Sequence, residues 1–460
     1  MATENLTESV PADSPYLTDA SGYRGQAERV FSPYDERELV DIVRAASRQS
    51  IPLTIAGAGT GVTGGRVPRK GWVISTERFT QLAIEPGVAR AGAGVSLADL
   101  QAAASASKQF YAPDPTEYSA WIGGTLATNA SGSRSFRYGD SRRHTLGLRV
   151  VLADGTAHYW KRGEAVDFPV DPLPVPATTK HTAGYYLRDG MDWVDLFIGS
   201  EGTLGIITEA ELQLLPAPRD LLTGVVFFPT DAAALDAVDA WRSVDAVRML
   251  EYFDGESLKL LRNRFSEIPA QAGAAILIEQ EAGADETDAW LDRLEAARAL
   301  TEESWFAANA ADRERFRKFR HALPEMVNDI VRQNGVLKMG SDFAVPLDRN
   351  REMLAFYQQR LRAEFPHQYV IFGHIGDAHV HANILPKSGP ESKRAKALMV
   401  EFATKAVELG GTVSAEHGLG KHKRHLLEIQ FTKEEIDNMR AVKRRLDPKG
   451  LLGRGNLFDI

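Results

Sequence analysis

Read from its start, the chain shows no hydrophobic periodicity before about residue 30. The polar, acidic stretch through Gly22 and the residues after it read as a solvated arm, 1–29. From Val30 the pattern sharpens. Ser32-Pro33-Tyr34-Asp35 opens a helix with apolar residues at Leu39, Ile42, Val43 and Ala46, the spacing of one buried helical face. Ile51–Ala56 then reads as a short strand, as do Leu148–Ala153 before Asp154-Gly155 and Gly205–Leu214 before Pro216-Ala217-Pro218. Beyond that proline stop the texture changes. Helices are predicted over Ala232–Trp241, Asp285–Leu300 and Glu303–Val331, between strands such as Ala275–Glu279. Helix and strand mix without a regular βαβ rhythm, which predicts an α+β protein. The expected division is the arm, a first domain over 30–218, a second over 219–420 and a terminal segment over 421–460.

Composition narrows the classes. The 460 residues are 43% hydrophobic and 25% charged, enough for a large core and unlike a disordered chain or coiled coil. A net charge of −8, evenly mixed, argues against nucleic acid as partner. There is no cysteine, hence no disulfide, thiolate ligand or cysteinyl cofactor link. No apolar run is long enough to span a bilayer and no signal-like start is present, so a cytoplasmic protein is expected, with peripheral attachment at the inner membrane left open.

Chemistry concentrates in glycine and histidine. Residues 57–65 hold five glycines and two threonines directly after a strand. Without Cβ atoms such a loop lets backbone N–H groups crowd round an anion, though it could equally be a structural turn. Two more small-residue runs shift that balance: Pro113–Thr116 leading into Ile122–Gly132, and Ile198–Gly205. Three such loops in one domain suggest an extended, phosphate-bearing cofactor. Seven of the eleven histidines fall within residues 367–425. Tyr369–His374 reads as a strand, Ile375–Ala378 as a tight turn and His379–Leu385 as the returning strand, placing His379, His381 and Asn383 on one face. With Glu416 of Ala415-Glu416-His417-Gly418, two imidazoles would make a compact divalent-metal set with open positions.

These segments, in order, resemble the FAD-linked 2-hydroxy acid dehydrogenases of the vanillyl-alcohol oxidase type. That family includes D-lactate, D-2-hydroxyglutarate and glycolate dehydrogenases. The resemblance covers Val30 to the C-terminus and rests on five segments: Gly57–Gly65, Pro113–Gly132, Gly199–Gly205, His374–Asn383 and Glu416–Lys423. It implies a two-subdomain FAD-binding domain of the PCMH type, followed by an α+β substrate domain with an antiparallel sheet. FAD would lie non-covalently on Gly57, Ala58, Gly59, Thr60 and Gly61 and on Gly123, Gly124 and Thr125, with Ile207 by the adenine and Pro113 and Asp114 by the isoalloxazine. Thr128, Asn129, Ser131, Gly132, Glu201, Gly202 and Asn456 complete the implied flavin set. Family motifs map a divalent cation, zinc or manganese, onto His374, His381 and Glu416, the general base onto His417, and the substrate-carboxylate grip onto Arg320 and Lys338. Two departures stand out: His379 where many relatives have Asn, and Gly453-Arg454-Gly455-Asn456 for their Asn-Pro-Gly-Lys.

The expected reaction is oxidation of a small 2-hydroxy acid, D-lactate or a relative, to the 2-oxo acid. Electrons would pass to a quinone, a cytochrome or an electron-transfer flavoprotein, and a homodimer is left open. Two rival classes are a non-haem metal oxygenase on the His374, His381 and Glu416 set, and a non-catalytic electron-transfer subunit of a flavoprotein complex.

Overall fold

A computed structural model describes residues 10–281 and 286–460. The first domain is built on two sheets. In the smaller, Trp72–Ser75 lies parallel between Arg29–Phe31 and Leu53–Ala56. The helix Glu36–Gln49 covers it. Asp35 caps that helix by accepting from the Glu38 amide, and Leu39, Val43 and Ala46 pack onto Leu53, Trp72 and Ile74. The larger sheet is antiparallel, in the order Leu82–Glu85, Val88–Gly92, Ile206–Gln213, Thr145–Val151, Ala157–Lys161. Ile206 and Val151 join the core of the first sheet, so the two subdomains share apolar contact.

The second domain carries a seven-stranded antiparallel sheet. Its order is Trp305–Phe306, Leu221–Phe228, Ala274–Glu281, Val247–Asp254, Tyr369–Gly373, His381–Ile384, Met339–Gly340. Helices Asp231–Trp241 and Asn350–Glu364 cover one face through Leu235, Trp241 and Tyr357, and Ala310–Asn334 covers the other through Phe316, Phe319 and Leu323. With both faces covered, Val247–Asp254 is buried along its whole length. The mixed α+β class and the antiparallel sheet expected for the second domain are thus present.

Several boundaries moved. The helix expected from Glu303 begins at Ala310, because Trp305–Phe306 instead pair with Gly224 and Val225 at the sheet edge and Asn309 then caps the helix. The helix expected over 285–300 runs Glu286–Ala296, with residue 285 outside the described residues. Residues 10–29 are no solvated arm. Leu17 and Ala27 are buried, the Tyr16 hydroxyl donates to Glu77 at 2.7 Å, and Arg66 donates to the carbonyls of Pro15 and Thr18. Sparse but correctly placed apolar residues suffice to dock a segment that lacks periodicity.

The last forty residues return to the first domain. Leu452 bridges Leu53 in parallel, and buried Lys443 donates to the Thr203 and Leu452 carbonyls and to Asp447.

Candidate active site

The two domains meet over one cavity of about 1300 Å³. Its walls include Gly57, Ala58, Gly59, Thr60, Gly61, Gly123, Gly124, Thr125, Thr128, Ser131, Glu201, Gly202 and Ile207 at one end. At the other stand Arg320, Lys338, His374, His381, Glu416 and His417. Sequence reasoning placed the flavin set and the metal set on separate segments; the fold joins them in one space. Gly59 has φ +88°, a conformation that favours glycine, and a Cβ at Gly124 would project into open space. Gly57 and Gly124 lie back to back across this end, a bare-backbone cradle that suits an elongated phosphate-bearing group.

Five residues expected at the flavin do not line the cavity. Pro113 and Asp114 are replaced there by Pro115 and Thr116. The buried Asp114 carboxylate instead accepts from Tyr118 at 2.6 Å and Ser133 at 2.9 Å and pairs with Arg134. Asn129 holds Asp140 and the Arg142 amide. Gly132, at φ +97°, packs on the Asp114 carbonyl and donates its amide to Glu416. Asn456 ties the glycine loop to its neighbours, donating to the carbonyls of Gly65 and Glu201 and accepting from Lys421. The Glu201 carboxylate likewise points away, accepting from the amides of Leu419 and Gly420.

The histidine cluster is assembled by the sheet. His374 ends the strand Tyr369–Gly373, a short 3₁₀ turn follows, and His381 opens the return strand, with Ala378 left-handed at φ 50° between them. Glu416 reaches the pair from the other side. Its Oε1 lies 3.2 Å from His374 Nε2, 3.5 Å from His381 Nε2 and 3.7 Å from His417 Nε2. Its Oε2 is held by Ser131 at 3.0 Å, the Gly132 amide at 3.1 Å and buried Lys180 at 3.1 Å. Burial raises the Glu416 carboxyl, but Lys180, then His374 and His381, outweigh it and hold the group well below its ordinary range.

The outer nitrogens of both histidines are committed. His374 Nδ1 faces Glu251 at 2.5 Å, and His381 Nδ1 faces the Ser341 carbonyl at 3.0 Å. That leaves the two Nε2 lone pairs and a carboxylate oxygen converging, the donor set and outer-sphere arrangement a divalent cation requires. Burial opposes a charge on His374, but Glu251 outweighs it and raises the imidazole to about 9, so a cation entering there displaces a proton. His379 is fully buried. Its Nε2 is 3.2 Å from Asp342, and neither ring nitrogen makes a well-aligned hydrogen bond among the described residues.

Asp342 is the residue the sequence concealed. It accepts from Ser414 and from the amides of Glu416 and His417, and lies 3.4 Å from His417 Nδ1. His417 is the most exposed of the four imidazoles at 32% of its side chain. Burial depresses it to about 4 despite Asp342 and Glu416, so it is neutral, the form that accepts a proton. Arg320 pairs with Glu251 at 3.1 Å and reaches Thr116 at 3.2 Å. Lys338 donates to Asn383 at 3.0 Å, and burial together with Lys423 pulls it down to about 8. Lys180, Glu251 and Asp342 were all missed. The available signal for Glu251 was a carboxylate inside the apolar run Met249–Phe253; Lys180 carries none.

No helix among the described residues is long and apolar enough to cross a membrane. Comparisons with known proteins agree with the geometry. The FAD binding domain model matches residues 27–159, and the model for FAD linked oxidases, C-terminal domain, matches residues 217–457. A D-lactate dehydrogenase of Archaeoglobus fulgidus is 32% identical over 93% of this chain and 90% of its own length. The glycolate oxidase subunit GlcD of Bacillus subtilis is 29% identical over 99% of this chain and 94% of its own. The mitochondrial D-2-hydroxyglutarate dehydrogenase of Bos taurus is 28% identical over 97% and 80%. In fold, the chain matches a solved alkyldihydroxyacetonephosphate synthase with a TM-score of 0.66, at 17% identity over 92% of this chain and 75% of that one. With both modules present in order, the chain belongs to the FAD-linked oxidases and is a flavin-dependent enzyme of that family.

Proposed function

We propose that the protein oxidises a 2-hydroxy acid, D-lactate or a related D-acid, to the 2-oxo acid. The observation that carries this reading is the single cavity joining the glycine cradle to the histidine cluster. When bound, FAD on the glycine loops supplies the acceptor for the C2 hydride, and a divalent ion, zinc or manganese, on His374, His381 and Glu416 supplies Lewis acidity at the hydroxyl.

The chain's own residues do the rest. Lys338 and Arg320 bind the substrate carboxylate, Arg320 with the planar fork that Glu251 orients. His417 takes the hydroxyl proton on Nε2, which faces the cluster, while Asp342 sits at Nδ1 to hold the ring and stabilise the imidazolium. Lys180, Ser131 and Gly132 fix Glu416, so the first domain orients a residue of the second. FAD is bound non-covalently, since the 57–65 loop has no His or Cys. Electrons leave to a quinone, a cytochrome or an electron-transfer flavoprotein in the cytoplasm, and 30–218 acts as flavin domain with 219–420 as substrate domain. An oxygenase on the same three ligands would leave the glycine-lined end of the cavity without an occupant.

The test is anaerobic titration of the holoprotein with D- and L-2-hydroxy acids. Bleaching with one 2-oxo acid formed per flavin supports the reading; an oxidised flavin with every acid overturns it.

A further inference from the structure

We infer that His379 is a fourth protein ligand for the divalent ion, so that three imidazoles and one carboxylate hold it. The inference rests on the ion site of the proposed function and deepens it. His379 is one of the two departures from the family pattern, and the reaction described above gives it no task.

The ring has no exposed side-chain area. It lies outside the cavity lining, so contact with substrate or flavin does not explain it. What it faces is the ion set. The rings of His374, His379 and His381 form a triangle. Ring centroids are 5.5 Å apart for His374 and His379, 5.5 Å for His374 and His381, and 4.5 Å for His379 and His381. One nitrogen from each ring and one Glu416 oxygen all lie within 4.8 Å of one another. With metal bonds of about 2.1 Å, octahedral ligands are ~3 Å apart side by side and ~4.2 Å apart when opposite, so the four atoms suit one shell.

Neither His379 nitrogen makes a well-aligned hydrogen bond among the described residues, and leaving a buried imidazole so is costly. The other two rings show what is missing. Each has its outer nitrogen held, His374 by Glu251 and His381 by the Ser341 carbonyl, and its inner one turned to Glu416. Asp342, 3.2 Å from His379 Nε2, stands where it can take the proton of one ring nitrogen and leave the other for the ion. A bound ion then supplies the partner that the fold leaves out.

Four ligands also bear on which ion. They fill the tetrahedral shell usual for zinc and leave no place for substrate. An octahedral ion such as manganese keeps two positions, the number a 2-hydroxy acid occupies through its carboxylate and hydroxyl oxygens.

The test uses the FAD-loaded protein, stripped of metal by a chelator and reloaded with manganese(II). The spin-resonance signal of the free ion gives the affinity, and X-ray absorption at the manganese edge counts the imidazoles bound. The wild type should show three imidazoles and His379→Leu two. Affinity should fall in His379→Leu by at least the roughly 10- to 100-fold that loss of an outer-sphere partner costs. Two imidazoles in the wild type, or no uptake of manganese, overturns the inference. So does unchanged affinity in His379→Leu with slowed flavin reduction, which makes His379 a positioning residue acting on His417 through Asp342. Should His379→Leu fail to fold, the wild-type count alone decides. Two imidazoles with bleaching by a 2-hydroxy acid would remove His379 from the site and leave the proposed oxidation standing. Three imidazoles with no bleaching by any 2-hydroxy acid would sink that oxidation and keep the fourth ligand.

Discussion

His417 is the residue on which the chemistry turns. Replacing it with Asn keeps a polar group of similar reach, so FAD and metal should stay bound while anaerobic flavin reduction drops roughly 10²–10⁴-fold. Stopped-flow bleaching at saturating substrate checks this; an unchanged rate with a raised KM would make His417 a positioning residue. Lys338 gives a pH signature. Burial and Lys423 pull it to about 8, so its ammonium is lost as pH rises through that value. The kcat/KM profile should therefore fall on an alkaline limb near pH 8, and Lys338→Arg, which stays charged, should move that limb upward. His417, at about 4, stays neutral through the same range and adds no limb there. At this scale the histidine cluster and the small-residue-flanked Glu416 stand out in the sequence, while the division of roles among His374, His381, Glu416 and His417 comes from the family resemblance. The side chains of Asp114 and Asn129 turn to Arg134 and Asp140, a direction that a glycine-rich segment does not disclose.

Secondary-structure elements explain why the rest was hidden. Glu251 lies on the strand Val247–Asp254, more than a hundred residues from His374, and only the pairing of Tyr252 with Gly373 brings them together. No local pattern encodes that register. Glu251→Gln keeps the shape but removes the charge that orients both His374 and Arg320. Divalent-ion affinity should fall about 10- to 100-fold, as for other outer-sphere partners of a metal ligand. Metal content after dialysis checks it, and full retention would mean that the His374–Glu251 contact is structural only. The helix Ala310–Asn334 makes the same point for the fold. Its period was readable, but its start was displaced by the pairing of Trp305–Phe306 with a distant strand.

Across the whole molecule the active cavity exists only because two domains close on it. Ser131, Gly132 and Lys180 of the first hold Glu416 of the second, and Asn456 and Lys421 near the C-terminus brace the glycine loop. Acid or heat should therefore release intact FAD with unfolding; yellow colour remaining on the denatured chain would contradict a non-covalent flavin. The α+β class, the glycine loops and the histidine hairpin could be read from sequence, whereas their meeting across a cavity of about 1300 Å³ depends on long-range packing. The account stands most directly on rapid anaerobic mixing of the oxidised holoprotein with a D-2-hydroxy acid bearing hydrogen or deuterium at C2. It predicts flavin bleaching within one turnover, slowed by deuterium because the C2–H bond breaks in that step. Flavin that stays oxidised, or bleaching that ignores the isotope because C2–H cleavage is not involved, would contradict it.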